Sequence, residues 1–465
     1  MRTDRRRKES LTKRRAASRR TALVVALAML LAACADNGEA EPPAEDPEDA
    51  AAQEESVDTT ENDEDVSDEM NADIISEIFS ESDVDLSGES LNVGMLLAMT
   101  GQGSFFGDVM SRGALLAAKQ IEAAGGPTFN MEIADHESGL VPPAVSGVQR
   151  LITQENISAL HTSFGAPSEA IIPNIQEAGV LSFNGGGASP GQLNQDFLWM
   201  TRMLFAYDPT DGGLAWLAEN HPDAKRLALI GTLENGVEAI QEKAPRIWPE
   251  LQEGGEIVAT EIHDVGDTDF STLIARIRSA DPEAIFTVSF GDDLGHQVRQ
   301  FREAGVDVPI MGIEYTEQAC EIAGETYDGF LFATDFYDVN NENPWNQAFV
   351  QAHEAEYGEP PEYYGANYYE MNFILWQLMQ RVADAGGDPT SGYELQDELL
   401  ANPAFNSVYG GTPDEVGQME FDSEDHTISK PMGVFDVQDC TPNRLAEIVK
   451  VGEEDDPASA LVANS

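Results

Sequence analysis

The stretch LNVGMLL, residues 91–97, is a largely apolar run with the length of a buried β-strand. A helical pattern of apolar residues follows from Gly113 to Ala124 and ends at Gly125-Gly126-Pro127. The stretch FNMEIAD, residues 129–135, then alternates like a second strand. A strand, a helix and a strand in this order predict a βαβ unit with parallel strands and a right-handed crossover.

The same alternation continues along the chain and then restarts. After a loop near 208–213 that is rich in Asp and Gly, a second series of strands begins. Two successive α/β units predict two doubly wound parallel-sheet lobes, with a hinge and a cleft between them. The further predicted strands are 157–161, 180–183, 227–230, 257–260 and 284–288, and the further helices of the first unit are 143–155 and 166–178.

Small and hydroxyl residues follow four of these strands, at the end where parallel sheets bind ligands. The four loops are Met99-Thr100-Gly101, Ser163-Phe164-Gly165, Asn184-Gly185-Gly186-Gly187 and Ser289-Phe290-Gly291. Glycine allows the backbone to approach a ligand closely, although it can also serve only to turn the chain. Four such loops at equivalent positions favour a ligand site in the cleft.

The N-terminal residues predict export and a lipid anchor. Residues 1–33 combine a basic head with an apolar stretch from Thr21 to Ala33, and small residues precede Cys34. This arrangement is typical of a secretory signal peptide, and the placement of Cys34 resembles the lipobox of bacterial lipoproteins, in which the Cys is lipidated. A transmembrane helix and an incidental Cys are the alternatives, but the apolar stretch is shorter than the about 20 residues that span a bilayer.

Charge separates the next segment from the rest. Residues 35–90 hold 22 Asp or Glu and no Lys or Arg, which predicts a disordered acidic linker over residues 34–90. The whole chain carries a formal charge of −58, which argues against a nucleic-acid partner. Such acidity resembles that of proteins from salt-loving organisms. Bulk Ca²⁺ binding is the alternative, but the chain has no Asp-x-Asp-x-Asp-Gly loop.

Several dispersed stretches of residues 91–440 resemble branched-chain amino-acid-type solute-binding proteins of ABC importers, which have the type I periplasmic-binding fold. The matching stretches are Thr100-Gly101 with Phe106-Gly107, IEAAGG at 121–126, DFSTL at 269–273, RQFREAG at 299–305 and YGEPP at 357–361. The resemblance implies three crossings between discontinuous lobes, near Asp208, Asp335 and Lys430. The expected domains are lobe 1 (91–207 and 335–429), lobe 2 (208–334 and 430–450) and an acidic tail (451–465).

The resemblance also implies the main binding residues. Glu314 is at the position of the Glu that receives the ligand's amino group, although one more surface acid is the alternative. Phe290 and Phe106 match aromatic wall residues, with an ordinary core position as the alternative for Phe290. Gly186 and Ala188 are expected to offer backbone carbonyl and N–H groups.

Departures from the family pattern leave the ligand open. Gly165 and Ala188 replace a carboxylate-binding Ser and a Thr of the amino-acid binders, so Ser163, Ser168 and Ser189 are candidates to substitute for them. Asn235 stands beside Gly236, which occupies the position of a capping aromatic residue. A small polar organic solute is therefore expected, with amides, urea-like compounds and modified amino acids as alternatives to leucine.

Cys320 and Cys440 are the two cysteines that remain after Cys34, and in an oxidising compartment they predict one disulfide, with two buried thiols as the alternative. The stretch VFDV, residues 434–437, is taken as the last strand.

The sequence offers no set of nucleophile, base and acid that would make an enzyme. It contains no His-Glu-x-x-His, and His161 at a strand end is interpreted as structural. The resemblance implies a binding protein partnered by ABC permease subunits, and a monomer without cofactor or metal is expected. A sensory receptor ectodomain and an extracellular enzyme are the alternatives.

Overall fold

The computed structural model of the protein describes residues 71–80, 82, 84–187, 189–201, 208–233, 237, 239–428, 430–449, 451 and 456–462. The predicted signal peptide, Cys34 and the first part of the acidic linker lie outside these residues.

The first lobe is built on a five-stranded parallel sheet, with strand order β2-β1-β3-β4-β5. Nearly all residues of the interior strand β1 are buried, because helices cover both faces of the sheet. Its register with β2 runs from Ser90 opposite Thr128 to Leu97 opposite Asp135. The elements are β1 (Ser90–Leu97), α2 (Ser104–Ala123), β2 (Thr128–Asp135), α3 (Val141–Gln154), β3 (Ala159–Ser163), α4 (Gly165–Ala178), β4 (Leu181–Gly186) and β5 (Leu198–Met200).

The second lobe holds a seven-stranded sheet of order β15-β14-β10-β9-β8-β6-β7. Strands β6 to β10 are mutually parallel, whereas β14 pairs antiparallel with both β10 and β15. The elements are α5 (Asp208–Asn220), β6 (Arg226–Thr232), α6 (Ala244–Leu251), β7 (Glu256–His263), α7 (Ser271–Ala280), β8 (Ala284–Val288), α8 (Gly291–Glu303), β9 (Ile310–Gly312), α9 (Glu317–Ala323), β10 (Leu331–Asp335), β14 (Met432–Gln438) and β15 (Thr441–Ile448).

Between β10 and β14 the chain returns to the first lobe. It forms α10 (Pro344–Tyr357), α11 (Tyr363–Asp384), α12 (Gly392–Ala401), β11 (Ala404–Thr412), β12 (Glu415–Asp422) and β13 (Thr427–Ile428). Helix α11 packs directly on α2, where a Cβ added to Gly113 would lie 2.1 Å from the carbonyl oxygen of Gly365. Lys430, on the segment that leads back to the second lobe, is buried and pairs with Glu370 of α11 at 2.7 Å.

The structure corrects three details of the sequence prediction. The helix expected from Gly113 begins earlier, at Ser104. The three-stranded antiparallel sheet β11-β12-β13 was not foreseen. The stretch at 434–437 lies within β14 and is followed by β15, so it is not the last strand.

The acidic linker, predicted to be disordered as far as residue 90, is ordered in its last part. Residues 71–78 form a helix (α1), and Ile75 and Phe79 are buried. The Phe79 ring lies 4.9 Å from Trp345 and 5.1 Å from Trp376, centroid to centroid. Within the acidic composition, the apolar residues Ile74, Ile75, Ile78 and Phe79 indicate a short helical turn, and the structure confirms it as α1, docked on α10 and α11.

Candidate functional site

A cleft between the two lobes contains the candidate site. Its cavity measures about 90 Å³, several times the volume that one water molecule needs. Both lobes contribute to its wall, and strand ends and helix starts supply most of the residues. The first lobe provides Gln102, Gly103, Phe106, Ser138, Phe164, Gly165, Gly186, Gly187 and Tyr364, and the second provides Thr232, Val265, Phe290, Gly291, Asp292, Asp293 and Glu314.

Glu314 lies in this wall and is completely buried, just after β9. Its Oε2 accepts a hydrogen bond from the backbone N–H of Gly291 at 3.0 Å. Its Oε1 accepts one from the hydroxyl of Tyr364 at 3.1 Å. Tyr364 belongs to α11 of the first lobe, so this second bond joins the lobes across the cleft. Glu314 is therefore part of an interlobe contact and is not a surface acid.

Aromatic side chains form the apolar part of the wall. Phe106 and Phe290 line the cavity from opposite lobes. The Phe106 ring meets Tyr364 edge-to-face at 5.3 Å and Phe164 at 6.0 Å. Such a box suits an apolar chain, and its ring faces also attract a cation.

Backbone groups of the first lobe approach the cavity where α4 begins. Gly165 is the first residue of α4, whose initial N–H groups lack helical acceptors and favour a negative charge. Gly187 has φ of +146°, and a Cβ there would lie 2.9 Å from the Cα of Phe164. Phe164 itself has φ of +64°, a conformation that non-glycine residues rarely adopt outside functional sites.

The three serine candidates do not line the cavity. Ser163 is buried, and its hydroxyl lies 2.9 Å from Nε2 of His136. Ser168 is buried among first-lobe groups and donates to the carbonyl of Ser163 at 3.2 Å. Ser189 donates to the carboxylate of Glu169. Each hydroxyl is engaged within the first lobe. These side chains therefore do not supply to the cavity the hydroxyl group that is missing at Gly165.

Two candidates, Ala188 and Asn235, lie outside the described residues, as does Gly236. Sequence reasoning missed several residues of the wall, among them Phe164, Thr232, Asp293 and Tyr364. Phe164 stood in a loop already singled out, and Asp293 lies two residues after Gly291. These wall residues could have been found by treating every side chain near a strand end as a candidate, and not only the small ones.

Two buried histidines of the first lobe, His136 and His161, are held neutral. The backbone N–H of Gly139 donates to Nδ1 of His136, so the ring proton is on Nε2 and points to Ser163. A ring in this tautomer cannot accept a proton from that serine, so the pair is not arranged as a nucleophile and base. Burial lowers the pKa of both His136 and His161 to about 4. His161 instead hydrogen-bonds to Asn372 at 2.8 Å.

Away from the cleft, Cys320 and Cys440 form a disulfide with a Cα–Cα distance of 5.7 Å. It links α9 to the turn between β14 and β15, within the second lobe. Among the described residues, no helix combines the length and apolar character needed to cross a bilayer. Nor do the described ranges contain a cluster of three or more His, Cys, Asp or Glu suited to a metal ion.

Known proteins share this architecture. The family model described as "Periplasmic binding protein" matches residues 90–441. A leucine-, isoleucine-, valine-, threonine- and alanine-binding protein of Pseudomonas aeruginosa is 22% identical over 343 residues, 72% of this chain and 88% of that protein. The Leu/Ile/Val-binding protein of Escherichia coli K12 is 24% identical over 340 residues, 71% and 89% of the two chains.

Solved structures agree on the fold. LivJ of Streptococcus pneumoniae, in complex with isoleucine, superposes with a TM-score of 0.66 at 24% identity, covering 78% of this chain and 100% of that one. A solute-binding protein from R. palustris, in complex with benzoate, gives 0.66 at 20% identity, covering 81% and 98%. These relatives are solute-binding proteins of transporters and not enzymes, and their family implies a location outside the cytoplasm. The chain belongs to the periplasmic binding protein family and is a type I, two-lobed solute-binding protein.

Proposed function

We propose that this protein captures an amino acid or a closely related zwitterion by cleft closure and delivers it to the permease of an ABC importer. The observation that carries the proposal is Glu314, a carboxylate buried at the meeting of the two lobes and bonded to groups of both. A buried carboxylate that faces a cavity is a natural acceptor for an ammonium group.

The two sides of the cleft have complementary chemistry for a zwitterion. The ligand's carboxylate would accept hydrogen bonds from the first N–H groups of α4, near Gly165, on the first lobe. Its ammonium would donate to Glu314, on the second lobe. Its side chain would lie among Phe106, Phe164 and Phe290. A ligand held in this way touches both lobes at once, so it stabilises the closed arrangement over an open one.

Direct contacts between the lobes support closure as the mechanism. Tyr364 donates to Glu314 across the cleft at 3.1 Å. A Cβ added to Gly291 of the second lobe would lie 3.8 Å from the Phe106 ring of the first. The closed form presents one continuous surface from both lobes, and this is the form that a permease would distinguish from the open one.

We also propose that the chain is exported by a signal peptide at residues 1–33 and anchored by lipid on Cys34. Support comes from the basic head, the apolar stretch and the small residues before Cys34. Mass spectrometry of the membrane-bound protein should find the mature N-terminus at a lipid-modified Cys34. A Cys34→Ser variant released into the medium would agree with the anchor, whereas unchanged membrane retention would contradict it.

The binding proposal is tested by calorimetric titration of the purified protein with a panel of amino acids in high salt. At least one should bind saturably, and Glu314→Gln should weaken it about tenfold or more because the amide carries no charge for the ammonium. Glu256→Gln, an exposed change in the same lobe, is the matched control. Wild-type affinity in Glu314→Gln would refute the role of Glu314, and absence of heat with every amino acid would refute the solute class.

A further inference from the structure

The cavity wall has an unbalanced charge. Three carboxylates line it, those of Asp292, Asp293 and Glu314. Within the described part of the chain, no Lys, Arg or His contributes to the lining. One carboxylate is enough for the ammonium of an ordinary amino acid, and two remain. An anionic solute without an ammonium group, such as a simple aromatic acid, would face repulsion from all three.

Asp293 cannot be attributed to the generally acidic surface of the protein. Only 5% of its surface is exposed, and it nevertheless lines the cavity. Its Oδ2 accepts a hydrogen bond from the backbone N–H of Gly266 at 2.8 Å. Its own backbone N–H is the other hydrogen-bond donor to this carboxylate. A carboxylate that is this buried, faces a cavity and has so few donors retains acceptor capacity for a group in the cavity.

Among the described residues, no neighbouring cation compensates Asp293. Nδ1 of His263 lies 4.0 Å from Oδ2, but it donates to the carbonyl of Asp264 at 2.9 Å. Burial lowers the pKa of this histidine, which is therefore neutral. Burial also raises the pKa of Asp293 to about 6, and the charges of Asp267 and Asp292 act in the same direction. A positive group in the cavity would reverse this cost.

The helix that carries Asp293 supports a cation site and disfavours an anion site. Asp292 and Asp293 occupy the first turn of α8, where the helix dipole stabilises negative charge. The two carboxylates occupy the N-terminal end of α8, the place where a helix would otherwise favour a bound anion. The aromatic rings of the wall add faces that attract a cation.

We propose that Asp293 forms a second cation-binding subsite, so that the solute is an amino acid whose side chain ends in an ammonium or guanidinium group. This inference rests on the proposed function, since Glu314 takes the α-ammonium. Asp293, with Asp292 beside it, then takes the side-chain cation, while the aliphatic part of the solute lies between the aromatic rings.

Lysine and norleucine are the decisive pair of ligands. They have the same carbon skeleton, and lysine differs only by the ammonium group on its terminal carbon. Titration calorimetry on the wild-type protein should give lysine or arginine an affinity about tenfold or more above that of norleucine. Equal affinities, or tighter binding of norleucine, would overturn the second subsite but leave the proposed function standing. Failure of every amino acid, charged or neutral, would instead refute the proposed function.

The variant Asp293→Asn tests whether the preference for lysine over norleucine depends on this one residue. The amide oxygen can still accept from Gly266, so the fold should be retained, and the preference for lysine over norleucine should fall to within about threefold. Asp281→Asn, on the same lobe, removes an equal charge from a side chain that is 85% exposed and serves as the control. A preference that persists in Asp293→Asn, or falls equally in the control, would refute the assignment. Should Asp293→Asn not fold, the wild-type comparison of lysine with norleucine still decides.

Discussion

Removal of the Tyr364 hydroxyl should weaken ligand binding without unfolding the protein. Tyr364 is 4% exposed and Glu314 is fully buried, and their 3.1 Å hydrogen bond exists only when the lobes meet. A hydrogen bond to a charged group contributes about 1.5–3 kcal/mol. Because that contribution favours only the closed form, Tyr364→Phe should lower ligand affinity about 10- to 100-fold. Titration calorimetry measures the change directly.

Tyr369→Phe is the matched control for this experiment. Tyr369 is buried on the same helix, and its hydroxyl donates to Gln120 at 2.5 Å within the first lobe. This variant should lower the melting temperature while ligand affinity stays at the wild-type value. If Tyr364→Phe binds as tightly as wild type, the interlobe bond does not stabilise closure. An equal loss of affinity in both variants would also refute the reasoning, since the effect would then come from general loosening of α11.

Three further outcomes follow from contacts outside the cleft. Replacing Cys320 and Cys440 together by serine should lower the free energy of unfolding by about 4–5 kcal/mol, because the bridge closes a loop with a sequence separation of 120 residues; denaturant titration measures this, and an unchanged midpoint would contradict it. Phe79→Ala should cost about 3–5 kcal/mol by emptying an aromatic cluster, with a lower melting temperature but unchanged ligand affinity, whereas an unaltered melting temperature would show that α1 does not stabilise the fold. His161 has a folded-state pKa lowered by burial to about 4, so the stability from its neutral form is present above about pH 6.5 and is lost as the pH falls from there towards 4; NMR titration should find the folded ring neutral at pH 5.5, and protonation near pH 6.5 would contradict its burial.

The parallel core was predictable from local pattern, because each βαβ unit shows an apolar run followed by a helical period. LNVGMLL at 91–97 lies within β1, and the stretch at 284–288 coincides with β8. Strand β15 was missed because it is an edge strand with mostly exposed residues, so it lacks the apolar signal of a buried strand. Antiparallel pairing of β11 with β12 depends on contacts between strands, which a local pattern does not contain.

The family resemblance pointed to Glu314, Phe290 and Phe106; all three line the cavity, and their part in ligand binding stays a prediction. The site was not predictable where a side chain had alternative partners. Ser163 could have faced the cleft, but the orientation of its hydroxyl depends on His136, which is 27 residues away in sequence. The placement of Asp293 in the wall likewise depends on its bond to Gly266, on a different loop. The orientation of such side chains is determined by tertiary packing, which the spacing of residues in the sequence does not reveal.

The docking of α1 on α10 and α11 determines which half of the molecule is the stationary one. The polypeptide enters the described fold through the first lobe, at a place fixed by Phe79 against Trp345 and Trp376. Any force exerted through the N-terminal segment therefore acts on the first lobe. In the proposed closure, seen from a frame attached to that segment, the second lobe is the part that moves, and it carries Glu314 and Asp293 with it.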